Sequence, residues 1–337
     1  MNEPYISVII TAYNRREFLD IAIKSVLNQS LDKRYYEIIV IKNFDENSDH
    51  SIENKDIKFI LSEGIIGEYL YKGINEAKGD IISFLDDDDY FEKNKLETIM
   101  NIFLENPDIV YYHNNQIIVN EKGELIKRNE ITRTGKIDSN ELFENWLNVN
   151  NLLFNLSSIS IRKKYYIKYL NILKELKTHP DDFMLFCAMN ESMKIFIDIN
   201  CLTYYLSHNS ASFLRLELSN INDLSKFRFQ AISLFSLYAE ATDHMMKNFG
   251  NIILKDMLKF RLMQEEITIN FYERTSFEKE SIYRFIQFII NIIKHRKHTC
   301  KYLISCTRLI FKYFWFSLFH FSDKSTTMIK LERKIFG

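Results

Sequence analysis

The chain has 337 residues, 46% hydrophobic and 26% charged, with 44 Lys and Arg against 45 Asp and Glu. That apolar share can bury one large core or two ordinary ones, and it excludes a disordered chain. Eight glycines and three prolines exclude fibrous and low-complexity classes. The four cysteines (Cys187, Cys201, Cys300, Cys306) are scattered and form no CxxC pair, which argues against a disulfide framework or a zinc knuckle.

The near-balanced charge hides a polarity. Between 41 and 108 there are 17 acidic and 7 basic side chains; between 291 and 337 there are 10 basic and 2 acidic. An acidic front calls for a cation and a basic, aromatic tail for an anionic surface, unless each is a solvated face. Met1–Pro4 runs straight into YISVIIT with no basic leader, so a cytoplasmic protein is expected. No stretch offers the roughly 18 uncharged apolar residues of a membrane span. The nearest, 302–321, is interrupted by Arg308 and Lys312.

In chain order, an apolar β-branched run at 5–11 predicts a strand. A helix follows from about Arg16, with Phe18, Ile21, Ala22, Ser25 and Val26 at helical spacing. Strands are predicted at 36–41, 57–61 and 80–85, a helix around 66–77, and another over Lys93–Leu104 that stops at Asn106-Pro107. More strand is expected in 109–119, then a turn at 120–124. The short strand–helix–strand steps imply an α/β fold with a mainly parallel central sheet. Further on, 141–147 and 163–176 read as helices, His179-Pro180 breaks the chain, 181–192 restarts a helix, and 194–199 is a strand. Beyond about 214 the pattern is helical, over 223–248, 252–274, 279–294 and 297–320. A two-part organisation is therefore expected, 1–212 followed by an α-helical C-terminal region, 213–337.

Three clusters carry chemistry. Gly64, Gly67, Gly73 and Gly79 fall just before the strand at 80–85, where tight turning, close approach of a ligand or helix capping would each need them. Asp86-Asp87-Asp88-Asp89 follows that strand directly. Carboxylates at the C-terminal end of a buried strand sit where α/β sheets bind ligands, and a divalent cation shared with a phosphate would relieve their repulsion. Asp86 and Asp88 point the same way if strand geometry persists. The bland alternative is a solvated turn that caps the next helix. Asp181-Asp182 opens a helix after Pro180, either as a cap or with one carboxylate held as a general base.

These residues, in this order, resemble family-2 glycosyltransferases of the GT-A-type fold. SVIITAYNR (7–15) is similar to that family's first strand and nucleotide loop, and GINEAKGDIISFLDDDDYF (73–91) to its helix–Gly–strand–DxD segment. LSSISIRKKYY (156–166) resembles the strand and basic turn before the acceptor side. PDDFMLF (180–186) resembles its ED-type catalytic motif, and YYLSHNSAS (204–212) the His-containing segment that closes the catalytic domain.

The resemblance implies an enzyme that moves a sugar from a nucleotide-diphosphate sugar to an acceptor hydroxyl. Asp88 would ligate Mg²⁺ or Mn²⁺ at the donor diphosphate, and Asp86 would contact the nucleotide beside it. Thr11, Ala12 and Tyr13 would line the base pocket, and His208 would approach the metal or the diphosphate. Asp182 would be the base, with Asp181 as the first acid of the pair. Where the family usually carries an Asp pair after the second strand, this chain reads Lys42-Asn43-Phe44-Asp45, leaving Asn43 or Asp45 to substitute. One catalytic carboxylate implies direct displacement with inversion, since retention by double displacement requires a further nucleophile. An inactive GT-A-fold binding protein is the rival expectation. An aspartate phosphatase is disfavoured, because its motif sits on the first strand, with Thr or Val where this chain has Tyr90.

The acceptor is expected to be a glycan or lipid-linked molecule. The tail stripes, such as Phe285, Phe288, Ile289 and Ile292, either lie on an anionic membrane surface, at the inner face of the cell membrane, or pack in a core or oligomer interface. Nucleic acid is not an expected partner, since the aromatics form helical stripes rather than a stacking platform.

Overall fold

The computed structural model describes residues 5–44 (apart from 15 and 17), 57–128, 134–144, 155–207 and 224–273. Strand β1 (Ile6–Ala12) is buried along its whole length, as expected for a strand covered on both faces. Helix α1 (Leu19–Leu27) leads to β2 (Tyr36–Lys42) and β3 (Ile57–Leu61); α2 (Ile66–Glu76) then crosses to β4 (Ile81–Asp86). These four strands form a parallel block in the order β3-β2-β1-β4. The α1 stripe differs from the expected one. Phe18 is the N-cap rather than part of the helix, so Leu19, Ala22, Ile23 and Val26 face the core and Ile21 is exposed.

Three of the four clustered glycines serve packing. A Cβ on Gly73 would stand 2.7 Å from the Ile9 side chain, and one on Gly79 would stand 2.6 Å from the Ser7 nitrogen. Gly67 meets the Leu173 carbonyl in the same way. These glycines let α2 and the turn after it lie directly on their neighbours, which accounts for them without a ligand.

Past β4 come β5 (Tyr90–Phe91), α3 (Lys95–Glu105), β6 (Ile109–Asn120), β7 (Leu125–Arg128), β8 (Gly135–Asp138) and α4 (Ser139–Glu144). Then follow β9 (Ile159–Arg162), α5 (Leu170–Lys174), α6 (Pro180–Asn190) and β10 (Lys194–Ser207). The sheet continues from β4 as β9-β6-β10-β5, with β7 on β6 and β8 on β10. Here β9 is antiparallel to both neighbours while β10 runs parallel to β6. The α/β fold is as expected, and the parallel core is its N-terminal half; beyond it the sheet is mixed. The single helix expected over 163–176 is instead two 3₁₀ turns and the short α5. Tyr166 turns inward there, its hydroxyl donating to the Met184 carbonyl at 3.0 Å.

By compactness the chain divides into Met1–Ala211 with Lys247–Lys255, and Ser212–Met246 with Asp256–Gly337. Within the first unit, Phe249 packs on Tyr169 and Phe183, and Asn190 Oδ1 accepts the Gly250 and Asn251 N–H groups. The C-terminal helices α7 (Leu224–Asn248) and α8 (Ile252–Glu273) follow the expected periodicity. Within the second unit, Thr242 and Arg261 both donate to the buried Glu265 carboxylate. The helices expected at 279–294 and 297–320, with the basic tail, lie outside the described residues. Among the described residues no helix is long and apolar enough to cross a membrane.

Candidate functional site

Strands β2 and β3 lie on one side of β1 and β4 on the other, so strand order reverses between β1 and β4. The C-terminal ends of strands at such a reversal open a crevice for ligands. Thr11 and Asp86 are register partners there, and Thr11 Oγ1 donates to Asp86 Oδ1 at 3.2 Å. The Asp87 N–H donates to the Thr11 carbonyl at 3.2 Å, holding the acidic run against the end of β1.

The four aspartates do not share one environment. Strand geometry stops at Asp86, so the alternation expected to align Asp86 with Asp88 is replaced by a turn closed by Asp89 N–H to the Asp86 carbonyl at 3.2 Å. Asp89 faces inward. Its carboxylate accepts Asn155 Nδ2 at 2.8 Å, Ser157 Oγ at 2.6 Å and the Leu206 N–H at 3.1 Å. Ser157 Oγ also accepts the Asp86 N–H at 3.0 Å, so one hydroxyl ties both ends of the turn. Burial, with the charges of Asp88 and Asp86 added, pushes the Asp89 carboxyl well up, against the pull of the Ser157 and Asn155 hydrogen bonds. Lys95, also fully buried, lies 3.9 Å over the Phe91 ring and donates to the Ser157 carbonyl and to Thr203 Oγ1. Burial pushes its ammonium well down while Asp89 opposes that shift.

Asp89 therefore holds the turn to the fold; Asp86, at the end of β4, is the most exposed of the four, and Asp88 follows it in the turn at 8% exposure against 1% for Asp87 and Asp89. The chemistry of Asp86 and Asp88 fits a divalent cation: the donors are hard oxygens, and their charges already disfavour a third carboxylate. Two carboxylates suffice where phosphates complete the shell.

At the expected base pocket, Ala12 is buried and Tyr13 is exposed. Asn14 adopts φ 58°, a left-handed conformation that Asn tolerates. Asn43 holds it there: its Oδ1 accepts the Asn14 N–H at 2.9 Å and its Nδ2 donates to Asn14 Oδ1 at 2.6 Å. Lys42 packs its ammonium over Phe59 and Phe44. The departure from the family's Asp pair thus builds the loop after β1. Asp45 and His208 lie outside the described residues.

The second acidic pair opens α6, a helix buried on every side from Asp182 to Met189. His179 precedes it in a left-handed conformation (φ 58°), and its Nδ1 lies 3.1 Å from Asp182 Oδ2. Asp181 Oδ1 accepts the Asp182 N–H at 3.1 Å, a capping contact. His179, Asp181 and Asp182 each bring a ligand atom within 4.8 Å of the others, a group that could hold a cation; the contacts within it account for the clustering without one. On β6, the fully buried Tyr111 feels both acids: burial first, then the charges of Asp181 and Asp182, push its phenol well up. Sequence reasoning read His179 only as a chain break. It also missed Asn155, Ser157 and Lys95, because neither a buried serine nor a buried lysine carries a periodic signal.

The chain is similar to known glycosyltransferases. Residues 7–170 match the family model described as Glycosyl transferase family 2. An uncharacterized glycosyltransferase of Haemophilus influenzae is 29% identical over 255 residues, covering 71% of this chain and 89% of that protein. The GalNAc(5)-diNAcBac-PP-undecaprenol beta-1,3-glucosyltransferase of Campylobacter jejuni is 35% identical over 112 residues, which are 29% of this chain and 34% of that one. Among solved structures, S. aureus TarS 1-349 in complex with UDP-GlcNAc superposes with a TM-score of 0.56 at 17% identity, covering 84% of this chain and 80% of that one. That likeness shows the fold.

Proposed function

We propose, for a chain whose residues 7–170 match the model of glycosyl transferase family 2, a metal-dependent, inverting transfer of a sugar from a nucleotide-diphosphate donor to an acceptor hydroxyl. The carrying observation is the division of the acidic turn: Asp89 is bonded into the fold, while Asp86 and Asp88 are the more exposed members of the run. Asp88, with Asp86, would hold Mg²⁺ or Mn²⁺, which when bound supplies Lewis-acid stabilisation of the departing diphosphate. Thr11 orients Asp86 through its hydroxyl. Asp182 takes the acceptor's hydroxyl proton as the new bond forms to the anomeric carbon and the bond to the diphosphate breaks. His179 holds that carboxylate in place. Tyr13 and Ala12 would border the nucleoside.

The kind of acceptor named for the Campylobacter jejuni relative supports a lipid-linked glycan, with the basic tail at an anionic membrane surface. The test is a screen of UDP-, GDP- and TDP-sugars with Mn²⁺ or Mg²⁺, using wild type and Asp88→Ala. Donor turnover that EDTA abolishes and Asp88→Ala lacks is expected. Turnover indifferent to both would overturn the metal site, and nucleotide binding without turnover would favour an inactive binding protein.

A further inference from the structure

Tyr69 sits on the first turn of α2 with its side chain 1% exposed. Its hydroxyl is shielded from solvent and has no hydrogen-bond partner among the described residues. Buried polar groups are almost always paired, and an unpaired one weakens the fold that contains it. A phenylalanine would fill the same space without that penalty, so packing does not explain the hydroxyl.

Its surroundings place it at the donor crevice. Helix α2 begins just after β3, at the edge of the sheet where β1 and β4 end. The Tyr13 ring stands edge-on to Tyr69, with centroids 6.1 Å apart and an interplanar angle of 62°. Tyr13 is itself 55% exposed and is followed by the left-handed Asn14. Burial, then Tyr13, Asp87 and Glu63, push the Tyr69 phenol up to about 12, so it remains an O–H donor at working pH. Asp87 is the residue whose N–H is bonded to Thr11 at the foot of the crevice.

We infer that the Tyr69 hydroxyl is a hydrogen-bond donor to the nucleoside half of the sugar donor, satisfied when the nucleotide enters and displaces the edge of Tyr13. This rests on the nucleotide-sugar reading. The carboxylates of Asp87 and Glu63 beside the phenol repel a diphosphate but tolerate an uncharged ribose or base oxygen, which selects the nucleoside. The hydroxyl then destabilises the empty protein and strengthens the loaded one.

The experiment compares full-length wild type and Tyr69→Phe by calorimetric titration with whichever of UDP, GDP or TDP the wild type binds, with the matching monophosphate, and with inorganic pyrophosphate. Thermal unfolding is followed without nucleotide. Affinity for the diphosphate and the monophosphate should fall about tenfold alike, the order expected for one lost hydrogen bond. Pyrophosphate affinity should not change, and the unliganded variant should melt at the same temperature or higher. Equal monophosphate affinity in both proteins, or a loss shared by pyrophosphate, would overturn the inference, as would a lower melting temperature with unchanged affinity. A wild type that binds none of the three diphosphates would instead overturn the nucleotide-sugar reading on which it stands.

Discussion

At the end of β4 four aspartates share one turn, and at the start of α6 two aspartates share one helical turn; their surroundings separate their work. In the first region an inward carboxylate, Asp89, is held by an amide, a hydroxyl and a backbone N–H, while Asp86 and Asp88 are more exposed. In the second, Asp181 accepts the Asp182 N–H in the first turn and Asp182, although buried, lies beside an imidazole. Within each acidic run, then, one member is bonded into the local structure, and the proposed chemistry falls to another. Hydrogen-bond partners distinguish them; residue type does not.

The sharpest way to break that comparison is inside the second pair. Asp182→Asn should lower kcat by about 10²–10⁴ while donor affinity holds, as loss of a general base does. Asp181→Asn should lose far less. Steady-state kinetics with donor titration decides, and the reverse order would exchange the two roles.

Inside the first run the contrast is stability against activity. Asp89→Ala leaves Asn155 Nδ2, Ser157 Oγ and the Leu206 N–H without their buried acceptor and should cost about 1–3 kcal/mol or more, the range for buried groups left unsatisfied. Asp88→Ala should leave the unfolding midpoint in urea unchanged. If both variants are equally stable, Asp89 is not the structural member.

His179 offers a smaller effect. Because its backbone is left-handed, His179→Gly fits the conformation while deleting the imidazole. Stability should hold or rise, and kcat should fall about tenfold to a hundredfold through misplacement of Asp182. His179→Asn, which tolerates the backbone and retains a donor, should recover part of the loss.

The smallest effect lies away from the crevice. Glu191 is held below the usual carboxylate range by hydrogen bonds from Lys168 and Tyr169. A lowered folded pKa contributes stability above the unfolded value of about 4.3, lost as pH falls through the lower folded one. Glu191→Gln should therefore lose under about 1 kcal/mol at neutral pH, as exposed pairs do, and converge with wild type in acid. A gap that persists or widens in acid would contradict that assignment.

Much of the fold was legible because its signals are local. The apolar runs that became β1, β2 and β4 are buried on both faces, and such runs read as strands wherever they occur; β3, at the sheet edge, is partly exposed. The acidic run after a buried strand was legible for the same reason, since neighbouring like charges need an explanation. Helix α6 was legible only through Pro180 and the two acids, because a helix buried on every side has no polar face to give it a period.

By itself, then, the sequence determined the parallel block, the place of the acidic turn at its edge and the order of motifs that resembles a known family. Only the tertiary structure decided that β9 inserts antiparallel between β4 and β6, and that its approach delivers Asn155 and Ser157 to Asp89. It alone showed that three of the clustered glycines serve packing, that His179 meets Asp182 and that the Tyr69 hydroxyl stands buried beside Tyr13. Strand and helix periodicity arise between residues a few positions apart and leave their mark on the chain. A hydrogen bond between positions 66 or 68 residues apart, like those of Asp89, leaves none, because either side chain has the same composition whether or not its partner arrives.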